Sequence, residues 1–389
     1  MGLNISRRFL LTGAAGSAVA TVASCASTSA TLADEQGAFP AAKTAIDNPY
    51  LLGPPEGVAL LSRNENPYGP AASAREMIDY AASKGAFYTS QDATMELIEM
   101  IAERHGVTPD HIALSTGSGE ILSALALTYG PNGPIVAPRL FWDTTALYAK
   151  NLGMAEIQRI PLSAEMEIDL PAMEAAVTSS TGAVQLCNPN NPTGLVTPGN
   201  VIRPAVRRMA AKAPVIVDEA YIELSDDEAG TTCVPLVKEG LDVIVTRTFS
   251  KIYGMAGIRM GYLIAKPEIA QKVQSVVMSW TPCTSIAAGI GCYNDMEFLN
   301  FSKGKIVEAR SMIKTTLDTL GMEYLPSQTN FIYFKSGKEA NALQKALAEQ
   351  KISIRGQYMD YNEWSRVSMG FIEDVDRFCK ALPGTVASI

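Results

Sequence analysis

Five short apolar runs recur along the middle of this chain, and they constrain its fold more than any other feature. They are IALS at 112–115, PIVA at 134–137, AVQLC at 183–187, PVIVD at 214–218 and DVIVT at 242–246. Each is bounded by turn residues and rich in Val, Ile and Leu, as a strand covered on both faces must be. Between them lie stretches with helical spacing, one from about Gly119 to Tyr129 and another ending near Leu152. Such alternation predicts an α/β fold, a mostly parallel sheet between helical layers. Ligands of such sheets bind beyond the carboxyl ends of the strands. From about residue 283 the pattern changes to long helices with TNFIYF and RVSMG, which predicts a second, smaller α+β domain. The expected division is a leader over 1–33, an N-terminal arm and part of the small domain over 34–82, a large domain over 83–281 and a C-terminal small domain over 282–389.

Several uncommon stretches fall just after those runs. STGSGEIL at 115–122 is a Gly/Ser turn opening a helix, where free N–H groups and the helix dipole attract an anion. Alone this is a weak signal. CNPNNPTG at 187–194 is rarer: its prolines and asparagines form a rigid polar loop. VDEAY at 217–221 puts Asp218 at the end of an apolar strand, where a carboxylate needs either a helix N-terminus or a cationic ligand. TRTFSKIYGMAGIRMGY at 246–262 puts Lys251 on a turn past a strand end, with Thr248 and Ser250 beside it and Arg259 eight residues on. A lone lysine there reads as a surface residue. The company it keeps suggests pyridoxal phosphate, which needs a lysine, an anion cradle and a carboxylate facing its pyridinium nitrogen.

The chain resembles the fold-type I pyridoxal-phosphate aminotransferases of class I/II, and is most similar to their histidinol-phosphate branch. The resemblance covers roughly residues 58–380 and is carried by LSRNENPYGP, STGSGE, NPNNPTG, VDEAYIEL, TFSKIYGMAGIRMGY, PSQTNF and RVSMG. It implies a large domain with a mostly parallel seven-stranded sheet. It makes Lys251 the Schiff-base lysine and proton carrier, and Asp218 the partner of the pyridine nitrogen. Asn191 and Tyr221 would bond the phenolic oxygen. Ser118, Gly119, Thr248, Ser250 and Arg259 would hold the phosphate, with Arg259 the strongest donor set. Trp142 would stack on the ring, with Phe141 as the alternative in PRLFWD. Tyr88 would cross a dimer interface to the partner's phosphate, making a homodimer with shared active sites. Arg366 would grip the substrate carboxylate, Asn330 would help, and Asn66 and Tyr68 would lie over the substrate. Arg355 would either meet a second anionic group of the substrate or form a surface salt bridge. The implied reaction moves an amino group from an L-amino acid to a 2-oxo acid in a ping-pong cycle. A decarboxylase or an oxidase keeps the same cofactor residues on this scaffold. A non-catalytic binding protein would be expected to lose the lysine or the aspartate.

The rest of the sequence bounds location and partners. Residues 1–33 hold Arg7 and Arg8 and no carboxylate, followed by FLLTGAAGSAVATVA. A basic start, a short apolar core and small residues predict an export leader. The SRRFLL pair resembles a twin-arginine signal, which sends folded proteins to the bacterial periplasm. Cleavage is expected after Ala30 or Ala33, or else before a lipid-modified Cys25 in VASC. Removing Arg7 and Arg8 with the leader leaves 30 basic and 40 acidic side chains, an acidic balance that does not invite nucleic acid. With His105 and His111 as its two histidines, the sequence argues against a His-based metal site or a Ser-His-Asp triad. Cys187, Cys233, Cys283, Cys292 and Cys379 are scattered and read as buried free thiols.

Overall fold

A computed structural model describes residues 48–277 and 280–389. The expected leader, with Arg7, Arg8 and Cys25, and residues 34–47 of the expected arm segment lie outside the described residues. Residues 52–389 pack as one compact unit.

Eleven strands run in chain order among the described residues. They are β1 (Ala59–Leu60), β2 (Ile112–Ser115), β3 (Ile135–Pro138), β4 (Ile157–Ile160), β5 (Ala183–Cys187), β6 (Val215–Asp218), β7 (Val243–Thr248), β8 (Gly261–Ile264), β9 (Phe331–Lys335), β10 (Ile352–Ser353) and β11 (Trp364–Ser368). Seven of them make the main sheet, in the order β2-β8-β7-β6-β5-β3-β4. Its neighbours pair in parallel except around β8, which is antiparallel to both β2 and β7. All five apolar runs of the sequence are strands of this sheet, within one or two residues of the expected bounds. Four of them, β2, β3, β5 and β6, are buried along their whole length, as is β7.

The sequence did not announce β4 or β8. IQRI in β4 is an edge strand in which only Ile160 is buried, so it lacks a continuous apolar run. GYLI in β8 starts on Gly261 and merges with the glycine-rich turn before it. That glycine matters for close approach: a Cβ there would meet Ser118 N at 2.4 Å and Gly117 C at 2.6 Å. Gly261 pairs with Ser115 on one side and Thr248 on the other. It therefore lets the helix Ser118–Tyr129 begin against the end of β7.

Two smaller sheets complete the chain. β9 and β11 pair antiparallel, and β1 pairs parallel with β10. Helices Cys283–Cys292, Met296–Thr319, Ala340–Glu349 and Ile372–Ser388 accompany them. Helix Met296–Thr319 starts where Asp295 Oδ1 accepts from Phe298 N at 3.0 Å, an N-cap bond.

One buried ion pair ties the strand ends that carry the site. Arg247 in β7 donates to Glu219 Oε2 from Nη2 at 2.9 Å and from Nε at 3.2 Å, with both residues almost fully buried. Glu219 also accepts from Cys233 N at 2.6 Å and from Thr232 Oγ1 at 2.8 Å. The remaining Arg247 nitrogen reaches Glu228 Oε1 at 2.6 Å. Removing one member of such a pair leaves a buried charge uncompensated, at a cost of about 3–5 kcal/mol. Arg247→Met is expected to lower unfolding free energy by that amount in urea titration. The Arg247→Met, Glu219→Leu double variant should recover part of the loss, since Glu223 and Glu228 also lose their partner. If the double variant is as unstable as the single one, the pair is not what holds this edge.

Candidate active site

The carboxyl ends of β2, β5, β6 and β7 deliver the uncommon stretches to one edge of the main sheet. A cavity of about 390 Å³ opens there, lined among others by Asn64, Trp142, Asn191, Tyr221, Lys251 and Arg366. Lys251 sits on the turn just after β7, as its sequence context predicts. Its Nζ donates to Asn64 O at 3.2 Å and lies 5.4 Å from the Tyr221 ring centre. Desolvation, then the nearby Arg366, pull its pKa down to about 8, against the opposing pull of Asp218.

Asp218 ends β6 and is 3% exposed. Its Oδ1 accepts from Thr246 Oγ1 at 3.1 Å, and Cys187 Sγ lies 3.9 Å from Oδ2. These contacts are neutral groups. Burial lifts the carboxyl pKa to about 6, partly offset by the Thr246 and Ala220 bonds. A cation brought to this carboxylate would relieve that penalty.

Tyr221 and Asn191 form the next layer. The Tyr221 hydroxyl accepts from Asn64 Nδ2 at 3.1 Å and from Asn191 Nδ2 at 3.3 Å. Burial pushes its pKa up. Asn191 Oδ1 in turn accepts from Arg366 Nη1 at 2.7 Å, and Arg366 Nη2 donates to Ser62 O at 2.8 Å. Arg366 is buried in β11, against the rings of Phe331 and Tyr358. Its Nε has no partner among the described residues. A buried guanidinium N–H without an acceptor is costly, and an incoming carboxylate supplies one.

An anion cradle lies at the start of helix Ser118–Tyr129. Its N-cap, Gly117 at φ 93°, offers no side chain to the first N–H groups. The Arg259 guanidinium packs where a Gly117 side chain would be: a Cβ there would meet Nη2 at 2.3 Å. Arg259 itself holds φ 66°, a strained value for a non-glycine residue. Its Nη1 donates to Ala256 O at 2.8 Å and Ser250 Oγ at 3.4 Å. Ser250 N donates to Thr248 Oγ1, which donates to Ser250 Oγ. Thus Ser118, Gly119, Thr248, Ser250 and Arg259 converge. A Gly119 Cβ would stand 3.5 Å from Trp142 Cη2, so the indole overhangs this cradle. Phe141 instead is buried among Ala126, Ile135, Ala137 and Ala146, which makes Trp142 the freer ring of the two.

Four expected residues stand elsewhere. Asn66 does not line the cavity: its Nδ2 donates to Ile252 O at 2.8 Å and Ser302 Oγ at 2.5 Å. It ties the segment before helix Ala72–Ala82 to the lysine turn. Tyr68 also turns away, packing edge-on to Phe301 and Phe371 and accepting from Ile372 N at 3.2 Å. Within this chain the polar atoms of both are engaged by these contacts. Asn64, two residues before Asn66 in the same motif, takes the cavity position instead. Asn330 is fully buried, donates to Glu65 O at 3.4 Å and leaves Oδ1 without a partner. Tyr88 does not line the cavity of its own chain; it is 87% exposed and meets Trp280 edge-on. Arg355 does line the cavity, with its guanidinium 5.1 Å from the Tyr358 ring centre.

The comparison with known proteins agrees with this geometry. The aminotransferase class I and II family matches residues 56–382. A histidinol-phosphate aminotransferase from Limosilactobacillus fermentum is 32% identical over 322 residues, 82% of this chain and 88% of that protein. An aromatic amino acid aminotransferase from Cutibacterium acnes is 31% identical over 334 residues, 85% of this chain and 93% of that one. The crystal structure of a histidinol-phosphate aminotransferase from Sinorhizobium meliloti in complex with pyridoxal-5'-phosphate superposes with a TM-score of 0.78 at 27% identity, over 85% of this chain and 91% of that one. Aspartate aminotransferase from Thermus thermophilus, 17% identical with a TM-score of 0.73, shares the fold. A matched family model spanning most of the chain, on a sheet edge that gathers a lysine, a buried carboxylate and an anion cradle, places this protein among the class I and II aminotransferases.

Proposed function

We propose that this chain is a pyridoxal-phosphate aminotransferase of the histidinol-phosphate and aromatic amino acid type, with Lys251 as its Schiff-base lysine. The gathering of Lys251, Asp218 and the uncapped helix start with Arg259 at one edge of the main sheet carries the reading. The residues fit the cofactor: among the described residues Asp218 hydrogen-bonds only neutral groups, the helix start at Gly117 has no side-chain cap and Arg366 Nε has no acceptor. Bound there, pyridoxal phosphate supplies a carbonyl carbon that takes up an amine and a ring that withdraws electrons from it.

The chain's own residues do the rest. Asp218 would keep the ring nitrogen protonated. Asn191 and Tyr221 would hold the phenolic oxygen, and Trp142 would cover one ring face. Ser118, Gly119, Thr248, Ser250 and Arg259 would anchor the phosphate. Lys251, with a pKa near 8, is partly neutral at physiological pH, so its Nζ can accept a proton and return it. Arg366 would orient the substrate by its α-carboxylate. Its bond to Asn191 links that carboxylate to the group holding the cofactor. Arg355, on the cavity wall, favours a substrate with a second anionic group.

We further infer a homodimer that shares its sites. Tyr88, Phe87 and Trp280 are all more than 70% exposed, an aromatic patch suited to a partner. Mixing Lys251→Ala and Tyr88→Ala chains should restore activity above that of either alone; no gain would mean that Tyr88 serves no second site. Export by the twin-arginine route to the periplasm rests on the leader sequence. Cell fractionation of an Arg7→Lys, Arg8→Lys variant should find it retained; equal export would end that reading.

The function is tested by absorption spectroscopy of the cofactor-loaded protein with a panel of amino acids, while oxygen and carbon dioxide are followed. One donor should bleach the cofactor band and a 2-oxo acid should restore it, without gas exchange. Released carbon dioxide or consumed oxygen would point to a decarboxylase or an oxidase instead. Lys251→Ala should lose the cycle, by at least about a thousandfold. In the cofactor-free protein, acetylation of Lys251 by trace anhydride should rise with pH around a midpoint near 8, since only the neutral amine reacts. Arg366→Gln removes a repelling cation and should move that midpoint up. A midpoint of ordinary lysine, near 10.5, would show that the site does not tune this amine.

A further inference from the structure

β7 carries a hydroxyl that the roles above leave unused. Its first three residues, Val243, Ile244 and Val245, are buried and apolar, and Thr246 follows them with no exposed surface. A hydroxyl buried there needs a partner. Among the described residues Thr246 Oγ1 bonds one group, Asp218 Oδ1 at 3.1 Å. Strand register brings the two together: β6 and β7 run parallel with Asp218 opposite Thr246. Thr248, two positions further on, shares that face of the strand. One strand end thus serves the carboxylate with Thr246 and the anion cradle with Thr248.

The bond has a defined electrostatic sense. A hydroxyl donated to a carboxylate stabilises the charged form and makes it a weaker base. After burial, this bond is the largest influence on the Asp218 carboxyl. The Ala220 N–H acts in the same direction. Cys187, at the end of β5, lies 3.9 Å from Oδ2, and burial keeps its thiol protonated. Glu219, next in the chain, raises the carboxyl pKa and is itself engaged by Arg247. Tyr221 is held neutral by burial. Lys251, after β7, lowers the carboxyl pKa. With its own pKa at about 8, it stays mostly cationic while a carboxyl near 6 titrates.

We propose that Thr246 is a positioning residue: its hydroxyl fixes Asp218 and keeps it ionised, so that a proton shared with the cofactor's ring nitrogen stays on the nitrogen. The inference rests on the aminotransferase reading, in which Asp218 serves that nitrogen. A shared proton sits on the more basic partner. A carboxylate weakened as a base by Thr246 therefore leaves the ring in its cationic, electron-withdrawing form. Without the hydroxyl the proton shifts toward Asp218, and the ring loses that pull.

The test reads both partners of the proton. In cofactor-free protein isotope-labelled at its aspartate side-chain carboxyls, Asp218 is followed by NMR against pH, and Asp218→Asn identifies its signal. The wild-type midpoint should lie at about 6. Thr246→Val keeps the branched shape and removes the donor, so the midpoint should rise by about one to two pH units. Thr246→Ser loses a methyl group but keeps the hydroxyl, and should return the midpoint to the wild-type value. In protein loaded with pyridoxal phosphate labelled at its ring nitrogen, Thr246→Val should move the nitrogen signal toward that of neutral pyridine, and Thr246→Ser should not. An unmoved midpoint in Thr246→Val, a Thr246→Ser midpoint as high as that of Thr246→Val, or an unmoved nitrogen signal would each overturn the proposal. Neither measurement needs turnover, so failure to transaminate any amino acid would remove the functional reading and leave this test standing.

Discussion

The buried pair between Glu219 and Arg247 is the constraint on which the site depends. Successive residues of a strand point to opposite faces. Asp218 and Glu219 are neighbours at the end of β6, and Arg247 and Thr248 at the end of β7. Asp218 and Thr248 bond to groups on the site side, and Glu219 and Arg247 bond to each other on the opposite side. A slip of one residue between these strands would send Asp218 behind the sheet and Glu219 into the cavity. A buried ion pair adds little net stability, but a misplaced buried charge is costly, so the pair selects register more than it strengthens the fold.

The site itself is built at some expense to the empty protein. Asp218 is buried beside neutral groups, Arg366 keeps an unpartnered Nε, Lys251 is desolvated and Arg259 holds a left-handed backbone. Each of these would gain from a ligand with a cationic ring nitrogen and two anionic ends. Binding energy realised on that ligand stabilises the folded state by mass action. Gly117, whose missing side chain leaves space for the Arg259 guanidinium, lets it lie beside the helix start. The glycines here serve proximity: they let two positive features share one small volume.

Much of the fold was legible before any coordinates. The five buried runs have the β-branched continuity of strands covered on both faces, and each became one. β4 escaped because only Ile160 of its four residues is buried and its middle two are polar. β8 escaped because Gly261, needed for contact with Ser118, looks like part of a turn. The candidate site was legible to a similar degree. Residues that follow strand ends, such as Lys251, Asp218, Asn191 and Ser118, fell together. Arg247 and Glu219 passed unnoticed, because a pair formed by two strands distant in sequence leaves no local signature.

The sequence by itself determined the class of the sheet, the edge at which chemistry gathers and the kinds of groups delivered there. Those follow from local patterns: apolar runs, turn residues and what comes directly after them. Tertiary structure decided which of two near-identical residues does which task. Asn64 and Asn66 share one motif, yet the first reaches Tyr221 and the second is spent on Ile252 and Ser302. It also decided that Trp142 overhangs the cradle while Phe141 fills the core, and that Arg139 meets Asp360 across 221 positions of chain. The physical reason is common to all three. Where a side chain points depends on backbone direction and on distant packing partners, and neither is recorded in the residues on either side of it.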